Sequence, residues 1–174
     1  VLLHGDIKVW ETLAICEYLA ELAPDANLWP KDREARAFAR SIANEMHAGF
    51  GALRNACPMN IRRPKAKVLM NDAVNRDVAR IEHLWRECRA KFGKGGKFLF
   101  GRFSIADAMY APVVSRFETY VPDLARFGVR FDHFVSERAL HESGALARAL
   151  ALFVAALARL ARDQAAGEIG RAHV

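Results

Sequence analysis

No stretch of this chain stays apolar for the roughly 18 to 20 residues that a bilayer-spanning helix needs. The best candidate, Ala149 to Ala158, is bracketed by Arg148 and Arg159, so a membrane span is not expected. The first residues lack the basic start, apolar middle and small-residue cleavage site of a signal peptide. Cysteine is scarce. Cys16, Cys57 and Cys88 are odd in number and widely spaced, with neither a Cys-x-x-Cys pair nor histidines at metal-ligand spacing. That argues against a disulfide framework and against a metal centre, and it suits free thiols in a reducing cytoplasm. Blocks of like charge are missing too. The net charge is +6, but Lys and Arg are interleaved with Asp and Glu along helical stretches, so no nucleic-acid partner is expected.

What the 174 residues do have is apolar content, 52%, enough to bury the core of one domain or one and a fraction. Val1-Leu2-Leu3 reads as a short strand, His4-Gly5-Asp6 as a tight turn and Ile7-Lys8-Val9 as an alternating strand, together a hairpin. From Glu11 to Ala23, Leu13, Ile15, Tyr18, Leu19 and Leu22 recur at helical spacing, with Thr12 available as an N-cap and Pro24 as the stop. The two prolines between Pro24 and Asp32 mark a connector. Beyond it, helical patterns dominate, from Arg33 to about Arg62 and from Ala66 to about Phe92, with a glycine-lysine loop at Gly93 to Gly96. The fold class is therefore α+β but mainly α. Residues 1–24 form a β-hairpin plus helix, 25–32 a linker, and 33–135 an all-helical domain.

Three stretches stand out. At Trp10-Glu11-Thr12-Leu13 a strand delivers an acid and a hydroxyl to the first turn of a helix. Helix N–H groups and the positive dipole end can receive a carboxylate, Thr12 can add a hydrogen bond, and Glu11 can hold an ammonium group beside them. The residue types leave a plainer reading open, in which Thr12 merely caps the helix and Glu11 favours its positive end. Further on, at Phe103-Ser104-Ile105-Ala106-Asp107, Ser104 as N-cap and Asp107 at N3 make a short-armed capping box, a structural signal. A third stretch, Glu45 to Asn60, contains Gly49 and Gly51, each weakening a helix interior by about 1 kcal/mol and inviting close approach. Met46, Phe50 and Met59 are most simply core residues, and His47 a hydrogen-bonded histidine.

Strand, His-Gly-Asp turn, strand and then Glu-Thr-Leu-Ala-Ile-Cys-Glu-Tyr-Leu-Ala resembles the end of the thioredoxin-like domain of cytosolic glutathione transferases. The Ser104–Asp107 motif, in the expected order downstream, resembles a capping motif of that family's helical domain. The likeness covers roughly Val1 to Tyr120. It implies that Glu11 and Thr12 hold the γ-glutamyl head of glutathione, with Thr12 standing where serine is commoner. It also implies that Arg54, Met59 and Asn60 line the pocket of a small hydrophobic electrophile, on a helix that faces a partner subunit in a homodimer. Glutathione is the expected co-substrate, and conjugation or reduction the expected reaction. The alternative is a transferase-like binding or interaction module without catalysis.

The ends carry expectations of their own. The family's thiol-activating Tyr, Ser or Cys sits near the start of the thioredoxin-like domain, and that segment is expected upstream of Val1. No catalytic residue is therefore named within the chain, which is expected to be inactive alone. Residues 136–174 are set apart as a tail of uncertain reading frame, rich in arginine and alanine. A stripe of Leu146, Leu150, Phe153, Leu157 and Leu160 speaks for a natural helix there. Residues 168–174 are read as adapter read-through.

Overall fold

The computed structural model describes residues 1–60, 63–65 and 67–120. The expectations for residues 136–174, the expected helix end at Arg62 and the expected helix start at Ala66 lie outside these. The described chain is mainly helical with one small antiparallel sheet, as its class requires.

Strands β1 (Leu2–His4) and β2 (Ile7–Val9) pair with Leu2 opposite Val9 and His4 opposite Ile7. Two residues close the hairpin, and the first, Gly5, takes the left-handed φ of +56° that such turns demand. His4 is buried, and its Nδ1 lies 2.6 Å from the Tyr18 hydroxyl of helix α1 (Thr12–Leu22). Leu2, Ile15 and Leu22 pack with Leu19 and Ala23 in a small apolar cluster. Leu3, on the opposite face of the hairpin, is 70% exposed, and Ile7, across from His4 beside the turn, is 49% exposed.

The connector is not a free tether. Pro24–Ala26 make a 3-10 turn, Asn27 adopts a left-handed conformation at its end, and Trp29 is buried in the main core. The Leu28 carbonyl accepts a hydrogen bond of 2.9 Å from the backbone N–H of Ile105.

Helix α2 (Arg33–Ala48) starts where Asp32 accepts the Ala35 N–H at 2.8 Å, and it buries Ala35, Ala39, Ile42, Ala43 and Met46 along one stripe. The single helix expected as far as Arg62 breaks at Gly49 and Phe50. Phe50 takes φ 59° and drops its ring into the core, and α3 (Gly51–Ala56) follows as a separate short helix. Burial of a large aromatic side chain here outweighs continuation of the helix. Helix α4 (Asp72–Phe92) begins later than expected because Asn71 accepts the Val74 N–H at 3.0 Å. It turns Val74, Val78, Ile81, Leu84, Trp85 and Cys88 inward.

Helix α5 (Ile105–Tyr120) is buried along much of its length and packs against α2. Its Tyr110 hydroxyl donates to the Ile42 carbonyl at 3.2 Å, and its Tyr120 hydroxyl donates to the Pro58 carbonyl at 2.8 Å. The loop before α5 is held by Arg89, whose guanidinium donates to the carbonyls of Gly96, Lys97 and Phe98. No helix among the described residues is long and apolar enough to cross a membrane.

Candidate functional site

Glu11 sits where β2 hands over to α1, and its backbone takes φ 77° and ψ 133°. A side chain with a Cβ holds such a φ at a cost of about 1 to 3 kcal/mol, and strain of this kind collects at functional positions. The twist makes Glu11 the N-cap and puts Thr12 already inside the helix. The plainer expectation, Thr12 as the capping residue, is thereby corrected: no side chain caps this helix. The N–H groups of the first turn therefore point outward beside a carboxylate that does not reach back to them.

That carboxylate has another partner. Its Oε2 lies 2.9 Å from His47 Nε2, across the gap between α1 and the last turn of α2, with both side chains partly exposed. Next to it, Arg40 of α2 grips Glu17 of α1 with two hydrogen bonds of 2.8 Å. Glu11 and Thr12 are thus brought together at one helix end, with His47 completing the group. The spacing of the sequence could not place His47 beside Glu11, since the contact exists only through the packing of α1 on α2.

The pocket candidates fall differently. Arg54 lies on α3, and its Nη2 donates to the carbonyls of Met46 and His47, closing the C-terminal end of α2. Met59 and Asn60 lie beyond α3 and not on a long helix, and both are exposed. Met59 is 50% exposed, which overturns its reading as a core residue, while Met46 and Phe50 are core as expected. A cavity of about 620 Å³ opens elsewhere, beside Trp29, Phe92, Lys94 and Ser104, and contains none of Glu11, Thr12, Arg54, Met59 or Asn60 in its lining.

Ser104 and Asp107 are both buried. The Asp107 carboxylate accepts three hydrogen bonds: from the Leu99 N–H at 3.0 Å, the Ser104 N–H at 2.9 Å and the Ser104 hydroxyl at 2.9 Å. The serine hydroxyl donates to Asp107, so the acid is the centre of the arrangement. Burial pushes its carboxyl up to about 6, with the three hydrogen bonds opposing the rise.

No cysteine offers an activated thiol. Burial pushes Cys16 up, with Glu17 adding to it, and burial pushes Cys88 up to about 12. Among the described residues no group of three His, Cys, Asp or Glu could hold a metal ion.

Residues 71–137 match the profile of the glutathione S-transferase C-terminal domain. The likeness is to the glutathione S-transferase family. It is 28% identical over 137 residues to glutathione S-transferase 1 of Dianthus caryophyllus, covering 73% of this chain and 58% of that protein. It is 26% identical over 122 residues to maleylacetoacetate isomerase of Rattus norvegicus, covering 70% and 54%. A probable maleylacetoacetate isomerase of Caenorhabditis elegans is 27% identical over 134 residues, covering 68% and 63%. The chain therefore spans a little over half the length of these transferase-family relatives. Within the family frame, the hairpin and α1 correspond to part of a thioredoxin-like domain, and the helices that follow to the helical domain.

Proposed function

We propose that this chain is part of a glutathione-dependent transferase that conjugates or reduces an electrophile, acting in the cytoplasm as a homodimer. In this reading Glu11 and Thr12 hold the γ-glutamyl head. The observation that carries it is the strained backbone at Glu11, which aims a carboxylate outward beside an uncapped helix N-terminus. A γ-glutamyl head presents one ammonium and one carboxylate. The ammonium pairs with Glu11, and the carboxylate takes the free N–H groups and the Thr12 hydroxyl. A carboxylate has about four lone-pair sites, so Glu11 can keep His47 on Oε2 and still receive an ammonium group.

Both residues touch a part of glutathione remote from its sulfur, so they contribute nearly equally to ground state and transition state. Titration calorimetry with glutathione tests this. Glu11→Gln is expected to weaken binding by about 1.5 to 3 kcal/mol. Thr12→Ala should cost about 1 kcal/mol, and Thr12→Ser close to nothing. If Glu11→Gln binds as tightly as the parent, the head group lies elsewhere.

A further inference from the structure

Three arginines gather behind the site with no acid among the described residues to answer them. Arg116 lies on α5 one turn before Tyr120, so both share a face of that helix. Its Nη1 donates to the Pro112 carbonyl at 2.9 Å, while its Nε is buried without a hydrogen-bond partner. The Arg63 guanidinium lies over the Tyr120 ring, 5.1 Å from its centroid. Arg54 completes the group, tied through one Nη to the end of α2. Their proximity is registered electrostatically. The basicity of Arg116 is lowered first by its burial and then by Arg54, and both Arg116 and Arg63 oppose the upward push that burial gives the Cys57 thiol.

None of the three has a carboxylate partner among the described residues. The acids in the neighbourhood are engaged elsewhere: Glu118 with Lys65 at 2.7 Å, Glu45 with Arg80 at 2.6 Å and Glu11 with His47. Like charges held close, one of them half buried, cost stability. Closing a helix end asks for one guanidinium nitrogen, and it leaves most donors of Arg54 and Arg116 unused. A planar oxyanion would use them in pairs and discharge the repulsion. The half-exposed Met59 sits next along the chain to Pro58, which Tyr120 holds, and offers an apolar surface for the body of such a ligand. His47 connects this cluster to the head-group residues, with its side chain on Glu11 and its carbonyl on Arg54.

We infer that Arg54, Arg63 and Arg116 form a binding site for the carboxylate, or like oxyanion, of the second substrate, so that the electrophile is an organic acid with an apolar body. This rests on the transferase reading above, and its test needs no glutathione. Binding of 4-nitrobenzoate and of its neutral counterpart 4-nitrobenzamide is measured by titration calorimetry on the full chain. The carboxylate is expected to bind about ten- to a hundredfold more tightly than the amide, the span of one to two charge-assisted contacts. Arg116→Gln and, on the exposed side chain, Arg63→Gln should each remove most of that preference and leave amide binding unchanged. Arg63→Gln keeps the test open if the half-buried Arg116 variant fails to fold. Equal affinity for the two probes, or variants that weaken both alike, would overturn the inference. So would displacement of 4-nitrobenzoate by glutathione at equal strength in the parent and in Glu11→Gln, because the arginines would then hold glutathione's own carboxylate. Loss of glutathione binding in Glu11→Gln together with an intact carboxylate preference supports the inference independently of the head-group assignment.

Discussion

Replacing Asp107 with alanine removes the acceptor of three hydrogen bonds at once, two of them from backbone N–H groups of Leu99 and Ser104 that have no water to fall back on. Each orphaned buried donor costs about 1 to 3 kcal/mol, and relief of the buried carboxylate offsets part of the total. A net loss of about 2 to 4 kcal/mol follows, read as a shift in the urea midpoint. Ser104→Ala keeps the backbone donor and loses only the hydroxyl, so about 1 kcal/mol is expected. The sign of the pH effect is fixed by the direction of the carboxyl's shift. Its folded value, about 6, stands above the ordinary carboxyl value of 3.8, so the folded state binds the proton more tightly. The contribution of Asp107 is then fullest below about pH 4 and is lost as pH rises through about 6. Asp107→Asn cannot titrate, so the stability difference between parent and variant should fall across that window. A midpoint loss under about 1 kcal/mol for Asp107→Ala would show that the three bonds do not hold the loop to the helix. A difference flat between pH 4 and pH 6 would refute the burial argument.

Glu11→Gly should leave stability unchanged or raise it by up to about 1 kcal/mol, because glycine takes φ 77° without strain, while glutathione binding falls. A stability loss above about 1 kcal/mol, read in the denaturant midpoint, would show that the His47 contact outweighs the strain. Gly96→Ala should cost about 1 to 3 kcal/mol, since a Cβ there would stand 2.2 Å from the Gly101 carbonyl oxygen, and that neighbour is backbone that cannot swing aside. An unchanged thermal midpoint would mean that the loop relaxes at no cost.

The hairpin was legible because a two-residue Gly-Asp turn between short apolar runs is a local signal, and α1 because its stripe of apolar residues is periodic. The break in the expected long helix was not legible. Gly49 alone marks a weak point, but what ends α2 there is Phe50 finding a pocket in the core, a contact with residues far along the chain. The start of α4 was missed for a smaller reason: Asn71 is an ordinary capping residue, and the apolar pattern before it, Val68-Leu69-Met70, reads as helix although Leu69 is 98% exposed. At the site, the acid and hydroxyl of Glu11 and Thr12 could be picked out by type and order. Their backbone strain, the partnership with His47, and the gathering of Arg54, Arg63 and Arg116 depend on how α1, α2 and α5 stack, which no local spacing encodes.

The hydrogen bond from Ile105 to the Leu28 carbonyl has a consequence for the order of events on the ribosome. At about 5 to 20 residues per second, Ile105 is synthesised about 4 to 15 seconds after Leu28. Until then the connector has no partner for that carbonyl, and Trp29 has no α5 to complete the core around it. The nascent connector must therefore wait for a helix encoded much later in the message. A protease or chaperone that samples unfinished chains would find its opening between Pro24 and Asp32, and that opening closes when α5 docks.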